Sequence, residues 1–277
     1  MRQKFYPTSF TDAQWAIIEP FLPVPKVEGR TGRPRQYCYR DIVNGIFYVL
    51  RTGCSWDMMP NDLPPWLTCY HYFRKWKNNG TWQAMHDALR ERLRVKMGRQ
   101  PTPSAAIIDS QTVKTAGKGG LKNRTLLAMM QVSASKDASD IKGRKRHILV
   151  DTSGLLLGVV VHSAGIQDRD GAKLLMLRCK EQTKLPRLEQ VWADGGYRGK
   201  ALAEFVQQQC GWRLQIVDKP AGQKYFSVLP RRWVVERTFA WLGRYRRLAK
   251  DYDLLPKTNE AFIYLAMTHL MLKRLTQ

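Results

Sequence analysis

Two short apolar runs in this chain each end on an aspartate: Ala105-Ala106-Ile107-Ile108 leads into Asp109, and Val191-Trp192-Ala193 into Asp194. Runs this short suit buried strands better than helices. A carboxylate at the end of a buried strand is costly unless it is paired or binds a cation. The runs therefore call for a sheet with helices packed on it, and with acids at strand ends where neighbouring connections diverge. Gly195-Gly196 follow Asp194 and leave room for a metal or a phosphate to approach.

The pattern around them fills in the sheet. Residues 105–113, 190–193 and 212–217 read as strands. Residues 146–150 and 155–162 flank Asp151-Thr152-Ser153-Gly154, a hairpin signal. Helices are predicted over 170–182, opened by Asp168 and Asp170, and over 200–209, 229–248 and 259–275, the last amphipathic. The hairpin makes the first three strands antiparallel, and the alternation with helices makes the later ones parallel. Before Pro101 and Pro103 the chain reads as helical: 13–21 behind a Thr11-Asp12 cap, 39–51, 67–78, and 81–95 capped by Thr81. The predicted organisation is a helical domain over 1–98, a linker over 99–104 and an α/β domain over 105–277. The Gly-, Ser- and Lys-rich run 117–140 reads as mobile.

Charge narrows the partner. The chain carries 46 Lys and Arg against 23 Asp and Glu, a formal charge of +23. Such an excess repels itself in a compact state, so an anionic partner is expected. Phosphate backbone is the commonest. No apolar run reaches the ~18 residues of a spanning helix, and the first residues lack an apolar signal-peptide core. A cytoplasmic location and no membrane partner are expected. The five cysteines, odd in number and without C-x-x-C spacing, support neither a disulfide framework nor a zinc knuckle.

Several basic groups are placed for DNA. The helix at 67–78, after a tight connector, carries Arg74, Lys75 and Lys77 beside Tyr70, Phe73 and Trp76. That is the pattern of a helix-turn-helix reader; a small bundle with those aromatics as core is the other reading, and both can hold. Gly32-Arg33-Pro34-Arg35 suits a narrow minor groove or an exposed loop. Arg144 and Lys145, in the run Lys142 to Arg146, are expected on the DNA backbone, and Lys114 on a phosphate near Asp109. His147 and His162 have no Ser or Cys motif beside them and read as ordinary strand histidines.

A third acid, Glu236, lies in Arg231-Arg232-Trp233-Val234-Val235-Glu236-Arg237. On one long helix its face would hold Arg232, Ala240, Gly243 and Arg247, with the two arginines clamping phosphates. The opposite flank, Val234, Thr238, Trp241, Tyr245 and Leu248, would be buried. Carboxylate oxygens suit Mg²⁺ or Mn²⁺. Two such ions about 4 Å apart can activate a water or a 3′-hydroxyl and stabilise the leaving oxygen. Taken singly, each aspartate could instead be a cap or a salt-bridge partner.

Four stretches in order carry a resemblance: Ile108-Asp109-Ser110-Gln111-Thr112-Val113-Lys114-Thr115, the run 142–151, Trp192-Ala193-Asp194-Gly195-Gly196-Tyr197, and the run 232–241. Gly32-Arg33-Pro34-Arg35 and the run 50–56 fit as well. Over nearly its whole length the chain resembles DDE-type transposases of bacterial insertion sequences, most closely the insertion-sequence-five (IS-five) family. The resemblance implies a ribonuclease-H-like mixed sheet with flanking helices, preceded by a small all-helical DNA-binding domain. It implies that Asp109, Asp194 and Glu236 are catalytic metal ligands for two Mg²⁺ or Mn²⁺ ions. The implied reaction is cleavage at terminal inverted repeats and transfer of 3′-hydroxyl strands into target DNA, by a homo-oligomer on double-stranded DNA. Arg232 matches the family's basic residue before the glutamate. Leu229 stands where the family often has Tyr, and Gly243 where it often has Lys or Arg, with Arg244 adjacent. A structure-selective metal-dependent nuclease and a catalytically inactive DNA-binding relative are the alternatives.

Overall fold

The computed structural model describes residues 6–23, 36–116, 143–217 and 233–277. Arg33, Arg35, Leu229 and Arg232, and the run 117–140, lie outside the described residues.

Strands β1 (Ala105–Lys114), β2 (Gly143–Asp151) and β3 (Leu156–Ser163) form an antiparallel meander. Strands β4 (Gln190–Ala193) and β5 (Arg213–Ile216) run parallel to β1, giving the order β3-β2-β1-β4-β5. The hairpin is closed by Asp151, whose Oδ1 accepts from the backbone N–H groups of Ser153 (2.8 Å) and Leu155 (2.9 Å). Gly154 takes the left-handed conformation there, with φ +82°. The other Asp151 oxygen pairs with Arg94.

Alternation along the central strands sends side chains to two cores. Ala106, Ile108, Val191 and Ala193 pack against helices α5 (Asp168–Gln182) and α6 (Lys200–Cys210) through Leu175, Met176 and Val206. Ile107, Ile148 and Trp192 face the other way, in one cluster with helices α7 (Trp233–Gly243) and α8 (Pro256–Leu275). That second cluster also takes in α1 (Asp12–Ile18), α2 (Tyr39–Thr52), α3 (Trp66–Asn78) and α4 (Thr81–Lys96). Phe73 of α3 stacks on Phe262 of α8, with ring centroids 4.6 Å apart. The N-terminal helices and the sheet thus share a core. Among the described residues no helix is long and apolar enough to cross a membrane.

Three local expectations need correction. Helix α8 is not amphipathic: Asn259 through His269 are buried without a break, because it lies between α4 and β3. The helix bearing Glu236 does not continue to 248. It ends at Gly243, Tyr245 is extended (φ −102°, ψ 111°), and a short turn covers Arg246–Leu248. Helix α4 is not capped by Thr81; Gly80 occupies the cap position at φ 79°, and Asn79 Oδ1 accepts from the Thr81 N–H at 3.2 Å.

Side chains cover the β3 edge of the sheet. Val161 N–H donates to Glu260 (2.9 Å), and the Val159, Leu157 and Leu156 carbonyls accept from Arg178 (3.1 Å), Thr183 (3.3 Å) and Arg90 (3.4 Å). Backbone groups that would otherwise invite another strand are thereby taken.

Candidate active site

The β1–β4 register pairs Ala105 with Gln190, Ala106 with Val191 and Ile107 with Trp192. Asp109 and Asp194 each lie two residues beyond the last of these pairs. Asp194 keeps an extended backbone (φ −83°, ψ 179°) although it is past the end of β4. By alternation both aspartates share the sheet face of Ile107 and Trp192, the face on which α7 packs. Asp109 Oδ1 accepts from the Ser110 N–H (2.7 Å), and Asp194 Oδ1 from the Gly196 N–H (2.9 Å). A Cβ built at Gly195 would meet nothing within 4 Å, so the chain after Asp194 leaves open space.

Tyr197 is 2% exposed, with its hydroxyl 3.3 Å from His147 Nδ1. Burial raises its phenol well above the usual range, and the Asp109 charge adds to this, as do Asp168 and Asp194, while a hydrogen bond with Ser110 opposes it. Asp168, at the start of α5, accepts from Ser110 Oγ (2.8 Å) and pairs with Lys145 Nζ (3.1 Å). Burial lifts the Asp168 carboxyl, but the bonds from Ser110 and Lys145 outweigh it and hold the group below the ordinary carboxylate range. His147 stacks on His162, centroids 4.8 Å apart, and burial pushes them down to about 3 and about 4 respectively. Both imidazoles are neutral at pH 7. His162 Nδ1 donates to the Ser163 carbonyl (2.7 Å).

Glu236 is exposed on α7, on the face it shares with Trp233, Ala240 and Gly243. The buried face is Val234, Val235, Thr238, Phe239 and Leu242, wider than the stripe expected from spacing, and Trp241 is only half-buried. Among the described residues no group of three His, Cys, Asp or Glu side chains is gathered closely enough to hold a metal ion. On donor chemistry Asp109 and Asp194 are carboxylates of the kind that suits a hard divalent ion, and a stretch without side chains follows Asp194. These two acids follow strands; Glu236 comes from a separate helix.

The basic residues divide. Arg74, Lys75, Lys114 and Arg244 are exposed. Lys77 is half-buried and donates to Thr258 Oγ1 at 3.2 Å; burial, then the Arg74 charge, lowers its ammonium. Lys145 is held by Asp168 and by the Ile166 carbonyl (3.0 Å). Arg144 and Arg247 must be corrected as DNA contacts. Arg144 is 3% exposed and bonded to Asp251 (2.8 Å), and Arg247 is 7% exposed and bonded to Asp253 (2.7 Å). Because the helix stops at Gly243, Arg247 also leaves the Glu236 face. Sequence reasoning missed the buried Tyr197 phenol against His147, and Asp251 and Asp253 as partners of the arginines. The Tyr197 spacing after Asp194 was the one available signal.

Residues 100–271 match the family model described as "Transposase DDE domain", and residues 10–86 match one described as "Putative transposase of IS4/5 family". Over 111 residues the chain is 32% identical to an "Insertion element IS402 uncharacterized 16.2 kDa protein" of Burkholderia cepacia, covering 39% of this chain and 74% of that protein. Over 129 residues it is 29% identical to a "Putative transposase for insertion sequence element IS402" of the same organism, covering 44% of this chain and 60% of the relative. No solved structure matches the chain.

Proposed function

This chain belongs to the DDE-domain transposase family, and we propose that it is an IS-five-type transposase that cuts DNA at the terminal inverted repeats of a bacterial insertion sequence and joins the freed 3′-hydroxyl strands to target DNA. The family is, in general terms, one of metal-dependent DNA-cleaving enzymes with a ribonuclease-H-like sheet. What supports the reading is that Asp109 and Asp194 each follow the last pair of the β1–β4 register by two residues, and that α7, which carries Glu236, packs on β1.

In this reading Asp109, Asp194 and Glu236 hold two Mg²⁺ or Mn²⁺ ions. Bound there, such ions supply activation of the attacking oxygen and stabilisation of the leaving one. Ser110, Tyr197 and Asp168 keep the two strand-borne carboxylates in place. Arg74, Lys75 and Lys77 on α3, with Arg33 and Arg35, bind the element end. Lys114, Arg232 and Arg244 meet phosphates near the chemistry, and Lys145 does so at the margin of its pairing with Asp168. Two ends must be held for joining, so the chain acts as a homo-oligomer on DNA, in the cytoplasm.

Asp109→Asn and Asp194→Asn test this. Each should abolish Mg²⁺-dependent cleavage of DNA carrying the element end while leaving end binding in a gel-shift assay unchanged. Cleavage that survives both substitutions would sink the site. Nicked DNA without joined products from the unaltered chain would refute strand transfer.

A further inference from the structure

Between the turn at Arg246–Leu248 and helix α8 the chain makes a loop that three arginines hold from beneath. Arg144 donates to the Asp251 carboxylate (2.8 Å) and to the carbonyls of Asp253 (2.6 Å) and Leu254 (2.5 Å). Arg247 donates to Asp253 Oδ1 (2.7 Å). Arg146, 1% exposed, donates to the Leu248 carbonyl (2.7 Å) and to Asn259 Oδ1 (3.0 Å). The loop is also tied to the end of β1: Asp251 N–H donates to the Lys114 carbonyl and Ala116 N–H to the Asp251 carbonyl, each at 2.9 Å.

Buried ion pairs contribute little net stability compared with apolar residues of the same volume. Their effect here is geometric, since they fix main-chain carbonyls. The shape they fix turns Tyr252, Leu254 and Leu255 outward, at 45%, 58% and 55% exposure. It also sorts charge. From Arg244 to Lys257 the two acids, Asp251 and Asp253, are buried, and the exposed charged groups are all cations: Arg244, Arg246, Lys250 and Lys257. Large apolar side chains on a rigid support, ringed by cations, match a polyanion with an apolar interior. Duplex DNA is that partner: phosphates meet the cations, and apolar side chains press between base steps from the minor groove.

We propose that this loop is a DNA-deforming wedge, with Tyr252, Leu254 and Leu255 against a base step and Arg246, Lys250 and Lys257 on the flanking phosphates. It rests on the reading of this chain as a DNA-processing enzyme. Asp109 lies five residues before Lys114, so at about 3.4 Å per residue the point where the loop is tied to β1 lies about 17 Å along the strand from Asp109. Insertion there would kink the duplex toward its major groove.

The test uses the full chain and a mixed-sequence duplex with a fluorescent dye at each end. Binding of the unaltered protein should shorten the dye-to-dye distance. A variant combining Tyr252→Ser, Leu254→Ser and Leu255→Ser, whose circular dichroism should match the parent because these side chains are exposed, should lose the shortening and roughly tenfold in affinity. Lys250→Gln with Lys257→Gln should instead make the plot of log affinity against log salt shallower by about two. Unchanged bending and affinity in the serine variant would overturn the wedge, as would a change confined to oligomeric state by light scattering without DNA, which would make the loop a protein interface. If the unaltered chain binds no duplex at low salt, the DNA-processing reading itself fails.

Discussion

Acidification from pH 7 to pH 5 should destabilise this fold by about 6 kcal/mol through three buried histidines. His147, His162 and His269 are 0%, 5% and 5% exposed, and burial pushes them down to about 3, about 4 and about 4. Histidine in an unfolded chain titrates near 6.5. Depressed folded-state values mean that the unfolded chain binds more protons between these limits, so stability present above pH 6.5 is lost as pH falls toward 4. At pH 5 an unfolded histidine is almost fully charged while these three stay mostly neutral in the fold. Each then contributes a loss of about 2 kcal/mol, and the figure hardly depends on the folded value while that stays below 5. The sum is comparable with the ~5–15 kcal/mol that holds a typical protein together. His86, fully buried and also lowered by burial, acts in the same direction. Asp87 and Asp168, held below the ordinary carboxylate range against their burial, titrate below this window. Urea unfolding followed by tryptophan fluorescence at pH 7, 6 and 5 measures the effect, and His269→Gln should reduce the pH dependence by about 2 kcal/mol. A total loss under about 2 kcal/mol, or a variant with the parent's pH slope, would refute the reasoning.

Other substitutions probe the same region. In Gly171→Ala the new methyl would fall 2.3 Å from His147 Nε2 and 2.5 Å from His162 Nε2; a loss of about 1–3 kcal/mol is expected in thermal unfolding, and none would contradict the packing. Arg144→Met strips buried Asp251 of its ion pair and should cost about 3–5 kcal/mol, against less than about 1 if the pair is incidental. Tyr197→Phe keeps the ring but removes the hydroxyl near His147. It should cost about 1 kcal/mol of stability and lower Mg²⁺-dependent cleavage at unchanged DNA affinity. Full cleavage would remove the phenol from any positioning role.

The strands are legible in sequence because burial leaves a local mark. Residues 190–193 carry an apolar run bounded by polar residues, and the Asp151 to Gly154 turn closes a hairpin whose chemistry is contained in five residues. The parallel pairing of β1 with β4, just before Asp109 and Asp194, follows once those strands are identified. Arg144 reads differently. It belongs to a run of cations, which locally looks solvated, and its partner Asp251 is 107 positions away. No spacing rule connects them, so a structural arginine resembles a DNA contact. Helix α8 misleads for a related reason: Glu260, Asn259 and His269 look like a polar face, but each has a buried partner from a distant element in Val161, Arg146 and Tyr245. The stop at Gly243 is a weak signal that aromatic periodicity through Tyr245 and Leu248 overrides.

The covered edge of β3 has a consequence for assembly. A sheet open along both margins can add neighbours without limit, and a cationic protein concentrated along DNA would be prone to do so. With Glu260, Arg178, Thr183 and Arg90 occupying one margin, strand pairing can join this sheet to at most one other.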